Sequence, residues 1–280
     1  MKFTAWEARK HIESKHKAAL RKLGRFLSAL IDDGDSLDIV VQKLNSASKS
    51  DEIVKWSESL AHTFVTNTLE ENAKTWRQAA AMSGQGNMIR KELENELRGP
   101  IGEKVKELID QNAQYIKSVP EGVAKDLVRH IHSKAYEGSR EAEKSPDFKE
   151  MVCEMSNNHA KLISRTETSK TMSALTQARA EYTGHDWYIW HTSKDQRVRD
   201  SHKLMDGVLC RFSDPPDPEE INGEKGNGHY GPGNIFNCRC YAAPVILWKN
   251  VSWPHAVYAN GQIRTMSKTE FQVEFGVVAA

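Results

Sequence analysis

Two cysteines one residue apart, Cys238 and Cys240, follow His202 and Asp195 in a segment crowded with arginines and aromatic residues. Thiolate and imidazole are the donors that zinc takes in closed tetrahedral shells. His202, Cys238 and Cys240 would give a structural zinc ion three ligands, with Asp195, His191 or Cys210 as the fourth. The spacing alone is a weak signal, because Cys-x-x-Cys is the commoner zinc spacing and buried free cysteines are ordinary core residues. A metal-free reading stands beside it and is the one the residues favour. In it Asp195 and Asp206 pair with Arg197, Arg199 or Arg239, and His202 donates into a polar network that fixes a small domain with a thin apolar core. A third reading makes His202 a general base, with Asp195 orienting it or holding a metal. No Gly-x-Ser-x-Gly, His-Glu-x-x-His or P-loop accompanies these residues, so no catalytic residue is assigned and an enzyme is not expected.

The same residues occur in a fixed order. Trp187 or Trp190 is followed by Asp195, Arg197, Arg199, His202, Asp206 and Gly207, then a variable loop, then Pro232, Gly233, Asn237, Cys238, Arg239, Cys240 and Pro244. Upstream lies an Arg-Thr-Glu-Thr series, Arg165 to Thr168. This series resembles the signature of the phage minor head protein, or head morphogenesis, family typified by the F protein of phage Mu. The resemblance covers roughly residues 163–245, and the first 150 residues carry no matching motif. It implies a minor structural component of a tailed-phage or prophage head, acting with the portal protein and other head proteins in procapsid assembly and in DNA packaging or delivery. The implied location is the host cytoplasm during assembly and then the virion. It also implies a motif cluster of Arg165, Glu167, Asp195, Arg197, Arg199, His202, Asp206, Gly207, Asn237 and Arg239. The alternative class is a metal-assisted nuclease or toxin domain using Asp195, His202, Cys238 and Cys240.

These residues need a scaffold, and the composition suits one. Lys and Arg number 39 against 38 Asp and Glu, a net charge of +1, so no global field announces a nucleic-acid partner. Hydrophobic residues make up 39% and charged residues 28%, as in a globular protein rich in amphipathic helix. No apolar run reaches the roughly 20 residues that span a bilayer, and the start MKFTAWEARK lacks a signal-peptide core, so no membrane partner is expected and synthesis in the cytoplasm is. Four cysteines in 280 residues do not make a disulfide framework.

Residues 4–32 place Ile12, Leu20, Leu23, Leu27 and Leu30 at helical spacing, and Lys10, Lys17, Arg21 and Arg25 share another face of that helix. This is the sharpest local charge asymmetry in the chain; a solvated face is the plain reading, and weak, non-specific DNA contact through phosphates is the functional one. A short helix near residues 37–44 precedes a long one capped by Ser50 or Asp51 and broken at Gly84-Gln85-Gly86. Helices over 88–97 and 105–116 are separated by Gly99-Pro100, Ser118 to Glu121 opens another, and Ser145-Pro146-Asp147 starts a run that Gly184 ends. Arg165 and Glu167, two apart on that run, do not share a face and need separate partners.

After Gly184 the period changes. Trp187 to Trp190 and 208–212 read as strands, 197–205 as a short helix closed at Asp206-Gly207, and 238–247 as strand or extended turn. Residues 213–234, with Pro215, Pro216, Pro218 and many glycines, are too long for an ordinary connection and are either functional or mobile. Asn260-Gly261 marks a hairpin. The expected fold is α+β: a mostly helical N-terminal region at 1–144, a small mixed α/β motif domain at 145–247, and a C-terminal β-hairpin extension at 248–280.

Overall fold

The structure is a computed structural model that describes residues 6–83, 89, 91, 95–136 and 147–277. Its helices begin where side chains can cap them. Ser36 Oγ accepts from the Ile39 amide at the start of α2 (Leu37–Ser48), and Ser50 Oγ accepts from Ile53 N at the start of α3 (Asp51–Ser83). Asp147 Oδ1 does the same for Glu150 N at α6 (Phe148–Tyr182), 3.0 Å away. Helix α1 covers Lys10–Ala29, α4 Pro100–Lys117 with proline in its first turn, and α5 Val119–Tyr136. Leu97, expected in an α-helix, lies instead in the 3-10 turn Glu96–Arg98, because Gly99 before Pro100 is held extended. The Gly84 to Gly86 break, most of the helix expected over 88–97, and Ser145-Pro146 lie outside the described residues.

Two compact units divide the chain, one of residues 10–67 and 107–167, the other of 1–9, 68–106 and 168–280. They interleave along the sequence, since α3 and α6 each run through residues of both. The first unit is all helical among its described residues. Helix α1 buries Ile12, His16, Leu20, Leu23, Gly24 and Leu27, and of these Leu20, Leu23 and Leu27 join Val40, Leu44, Ile53, Ile116, Val123 and Leu127 in one apolar cluster. Gly24 is needed there: a Cβ would come within 2.9 Å of Ser156 Cβ on α6.

The second unit contains a five-stranded sheet of order β3-β1-β2-β4-β5. The strands are β1 Trp187–His191, β2 Leu209–Arg211, β3 Tyr241–Pro244, β4 His255–Ala259 and β5 Gln262–Met266. Strand β1 pairs antiparallel with β2 and β3, and β2 pairs parallel with β4 through Leu209 and Val257. The hairpin β4–β5 turns at Asn260-Gly261, both at positive φ. It supplies two strands of the one sheet. The aromatic run of β1 is buried on both faces: Trp187 and Ile189 pack with Leu209, Val257 and Phe271, while Tyr188 and Trp190 pack with Cys210, Ala242 and Tyr258. Phe271 comes from the last helix, whose capping box is Ser267 with Glu270.

Candidate functional site

The connection out of β1 is tied back on itself before it delivers His202. Asp206 Oδ1 accepts from the Thr192 amide at 2.8 Å and from Thr192 Oγ1 at 3.1 Å, and Gly207 N donates to Trp190 O at 2.8 Å. Gly207 has φ +87, a conformation that favours glycine, which accounts for the Asp-Gly pair. Inside this clasp lies the short helix α7 (Asp200–Leu204), which carries His202 inward, 2% exposed and edge-on to Trp190 at 5.6 Å.

The Cys-Arg-Cys segment reaches His202 from the far end of the variable loop. Pro232 and Gly233 seat it on α6: Ser173 Oγ donates to Pro232 O at 2.6 Å, and a Cβ on Gly233 would lie 3.0 Å from Cys240 O and 3.2 Å from Ser169 O. Gly233 also has φ +89, so two separate constraints require glycine. Asn237, at φ +58, turns the chain into Cys238. His202 Nδ1 then stands 3.4 Å from Cys240 Sγ and 3.5 Å from Cys238 Sγ. The ligand atoms of the three lie within 4.8 Å of one another, and all three residues are buried.

The other expected residues sit elsewhere. Asp195 accepts from Arg197 N at 2.9 Å and pairs with Arg239 and, at 3.6 Å, with Arg197. Asp206 meets Lys194 at 3.7 Å and no arginine among the described residues, and Arg199 donates to Phe236 O at 2.9 Å. The expected Asp206–arginine pairing is thus replaced by a backbone role. His191 stacks on Tyr241, and the Cys210 thiol faces Val208 O, where burial pushes its pKa far up; neither they nor Asp195 joins the cluster as a fourth ligand. Arg165 and Glu167 fall in the helical unit, where Arg165 Nε lies 3.9 Å from Glu13 Oε1 and Glu167 is buried.

Sequence reasoning missed the residues behind His202. Its Nε2 is 2.9 Å from Tyr230 Oη, which donates to Glu219 Oε2 at 2.5 Å, while Ser201 Oγ donates to Glu219 Oε1 at 3.3 Å. Glu219 is 3% exposed and sits on the single-turn helix α8 (Pro218–Ile221). Asp217 caps that helix and orders the loop: its carboxylate accepts from Glu220 N at 3.2 Å and from Gly228 N at 2.7 Å. Burial acts to raise the Asp217 pKa, but the backbone amides outweigh it and hold the group below its ordinary value. Residues 213–234 are thus built into the site. The only sequence signal was a loop too long for a connection.

In the thiol pair itself, a hydrogen bond from Cys240 holds the Cys238 thiol well below its usual range, against the effect of burial, and Cys240 is raised in turn. Burial, with Glu219 beside it, also raises the Tyr230 hydroxyl. The arrangement is closed and rich in soft donors.

Fold and site together define an α+β protein in which helices carry a small mixed sheet around a buried Cys/His centre. Residues 121–243 match the family described as "Phage Mu protein F like protein". The match starts upstream of the expected boundary at 145, within α5. An uncharacterized protein of Haemophilus influenzae is 33% identical over 146 residues, which is 52% of this chain. The chain spans 30% of that relative's length. No solved structure matches.

Proposed function

We propose that this protein is a minor component of a tailed-phage or prophage head, acting at the portal vertex in procapsid assembly and in packaging or delivery of DNA. The observation that carries the reading is the family match over 121–243, which contains Asp195, His202, Gly233, Cys238 and Cys240 in order. The geometry supports a structural role for the motif: His202, Cys238 and Cys240 are 2%, 4% and 5% exposed, so the trio is closed to a polymeric substrate. That burial also speaks against the nuclease or toxin alternative. No described helix is long and apolar enough to cross a membrane.

Its partners are the portal protein and other head proteins, with DNA as a weak, non-specific contact. Lys10, Arg21 and Arg25 are exposed on α1 and Lys17 is half-buried, away from the buried leucine stripe. The test is co-expression with the portal and capsid proteins encoded beside it. Retention on portal-containing procapsids and loss from portal-less ones is expected; equal recovery from both would overturn the portal assignment. For DNA, the intact chain should bind weakly, less so as salt rises, and changing Lys17, Arg21 and Arg25 to Glu should remove that binding. Equal binding by both chains would assign α1 to scaffold.

A further inference from the structure

Three observations around His202 point to one ligand. A tyrosine hydroxyl has one proton, and Tyr230 gives its own to Glu219 Oε2. It can then only accept from His202, so Nε2 carries hydrogen and a neutral ring turns the Nδ1 lone pair toward the sulfurs. That one lone pair faces two sulfurs at almost equal distance, 3.4 and 3.5 Å. Finally, zinc bonds of about 2.3 Å to sulfur and 2.0–2.1 Å to nitrogen in a tetrahedron place N and S about 3.6 Å apart. The observed separations have the length of those edges.

We propose that Cys238, Cys240 and His202 Nδ1 hold one thiophilic divalent cation, zinc in the cell, and that Tyr230 and Glu219 fix the imidazole for it. Both sulfurs bind as thiolates, and any proton still held on them is released to solvent. No fourth His, Cys, Asp or Glu among the described residues joins the group, so these residues supply three ligands. The ion ties α7 to the segment before β3, which are 36 residues apart at His202 and Cys238. Tyr230 and Glu219 are positioning residues, the outer partners that set tautomer and ring direction. The inference rests on side-chain geometry and is independent of the phage-head reading.

The test uses the intact chain, stripped by a chelator under reducing conditions and titrated with cobalt(II) alone. One equivalent should produce thiolate-to-cobalt charge-transfer bands in the near ultraviolet and tetrahedral bands in the visible, both abolished by zinc. Tyr230→Phe should keep the one-to-one end point and weaken affinity about 10- to 100-fold. Cys238→Ser should lose the thiolate bands. Should that variant fail to fold, the wild-type end point and the Tyr230→Phe shift still decide. A folded wild-type chain without thiolate bands, or Tyr230→Phe binding with unchanged affinity, would overturn the proposal.

Discussion

The helical unit of residues 10–67 and 107–167 and the unit that carries the motif are stabilised by different chemistry. In the helical unit Leu20, Leu23 and Leu27 of α1 recur at helical spacing and join apolar residues of other helices. In the motif unit apolar clusters flank the sheet, but its connections are fixed by buried polar groups: Arg179 with Glu96 and Asn72, Asp217 with loop amides, Glu219 with Tyr230 and His202. Dispersion and burial are non-directional, so an apolar core fixes which faces meet but tolerates small shifts. Hydrogen bonds are directional and costly to leave half made, so a polar centre fixes geometry and punishes removal of one partner. The motif sits where geometry matters.

The sharpest contrast lies in how each unit responds to losing one partner. Arg179 is fully buried, donating to both oxygens of Glu96 at 2.6 and 2.7 Å. Arg179→Met strands a buried carboxylate and should cost about 3–5 kcal/mol in denaturant unfolding, whereas Arg179→Met with Glu96→Met should recover most of that. Leu27→Ala, at a site with no exposure, should cost about 3 kcal/mol, and no second truncation should restore it. Equal costs for the single and double Arg179 variants would remove the contrast.

Acid separates the units too. His16, in the helical unit, stacks on Phe64 at 4.1 Å, and both ring nitrogens are buried without hydrogen-bond partners among the described residues; burial lowers its pKa to about 4. The unfolded chain then binds the proton first. His16's contribution is complete above about pH 6.5 and is lost as pH falls toward 4, on the order of 3 kcal/mol. His16→Leu should flatten stability across that window; an unchanged slope would mean the ring is not the group that titrates.

The smallest effects compare glycines within the motif unit. Gly207 and Gly233 share a positive φ, but a Cβ on Gly207 meets open space while one on Gly233 meets two carbonyls. Gly207→Ala should cost about 1 kcal/mol from backbone strain alone and Gly233→Ala about 2–3 kcal/mol, read as shifts in the urea midpoint. Identical costs would show that the close seat on α6 carries no energy.

How far the sequence discloses this follows from the same contrast. The α1 stripe, the capping Ser50 and Asp147, the Gly184 stop and the Asn260-Gly261 turn were legible because each acts within one helical turn or one hairpin. The parallel join of Leu209 to Val257 was not, because pairing across 48 residues leaves no local signal. In the site, His202, Cys238 and Cys240 announce themselves by chemistry. Glu219 and Tyr230 do not, since an acid and a tyrosine in a loop look solvated until Asp217 folds the loop around them. Asp206 was legible as important but not in its role: it serves the Thr192 amide rather than an arginine.

The central claim is that a polar centre at His202 closes the motif. Hydrogen exchange on the intact chain, wild type against His202→Ala, tests it most directly. The expected result is loss of amide protection at residues 187–191, 200–204 and 238–244, with the amides around Leu20, Leu27 and Leu44 unchanged. Unchanged protection across the motif in the variant would contradict the account.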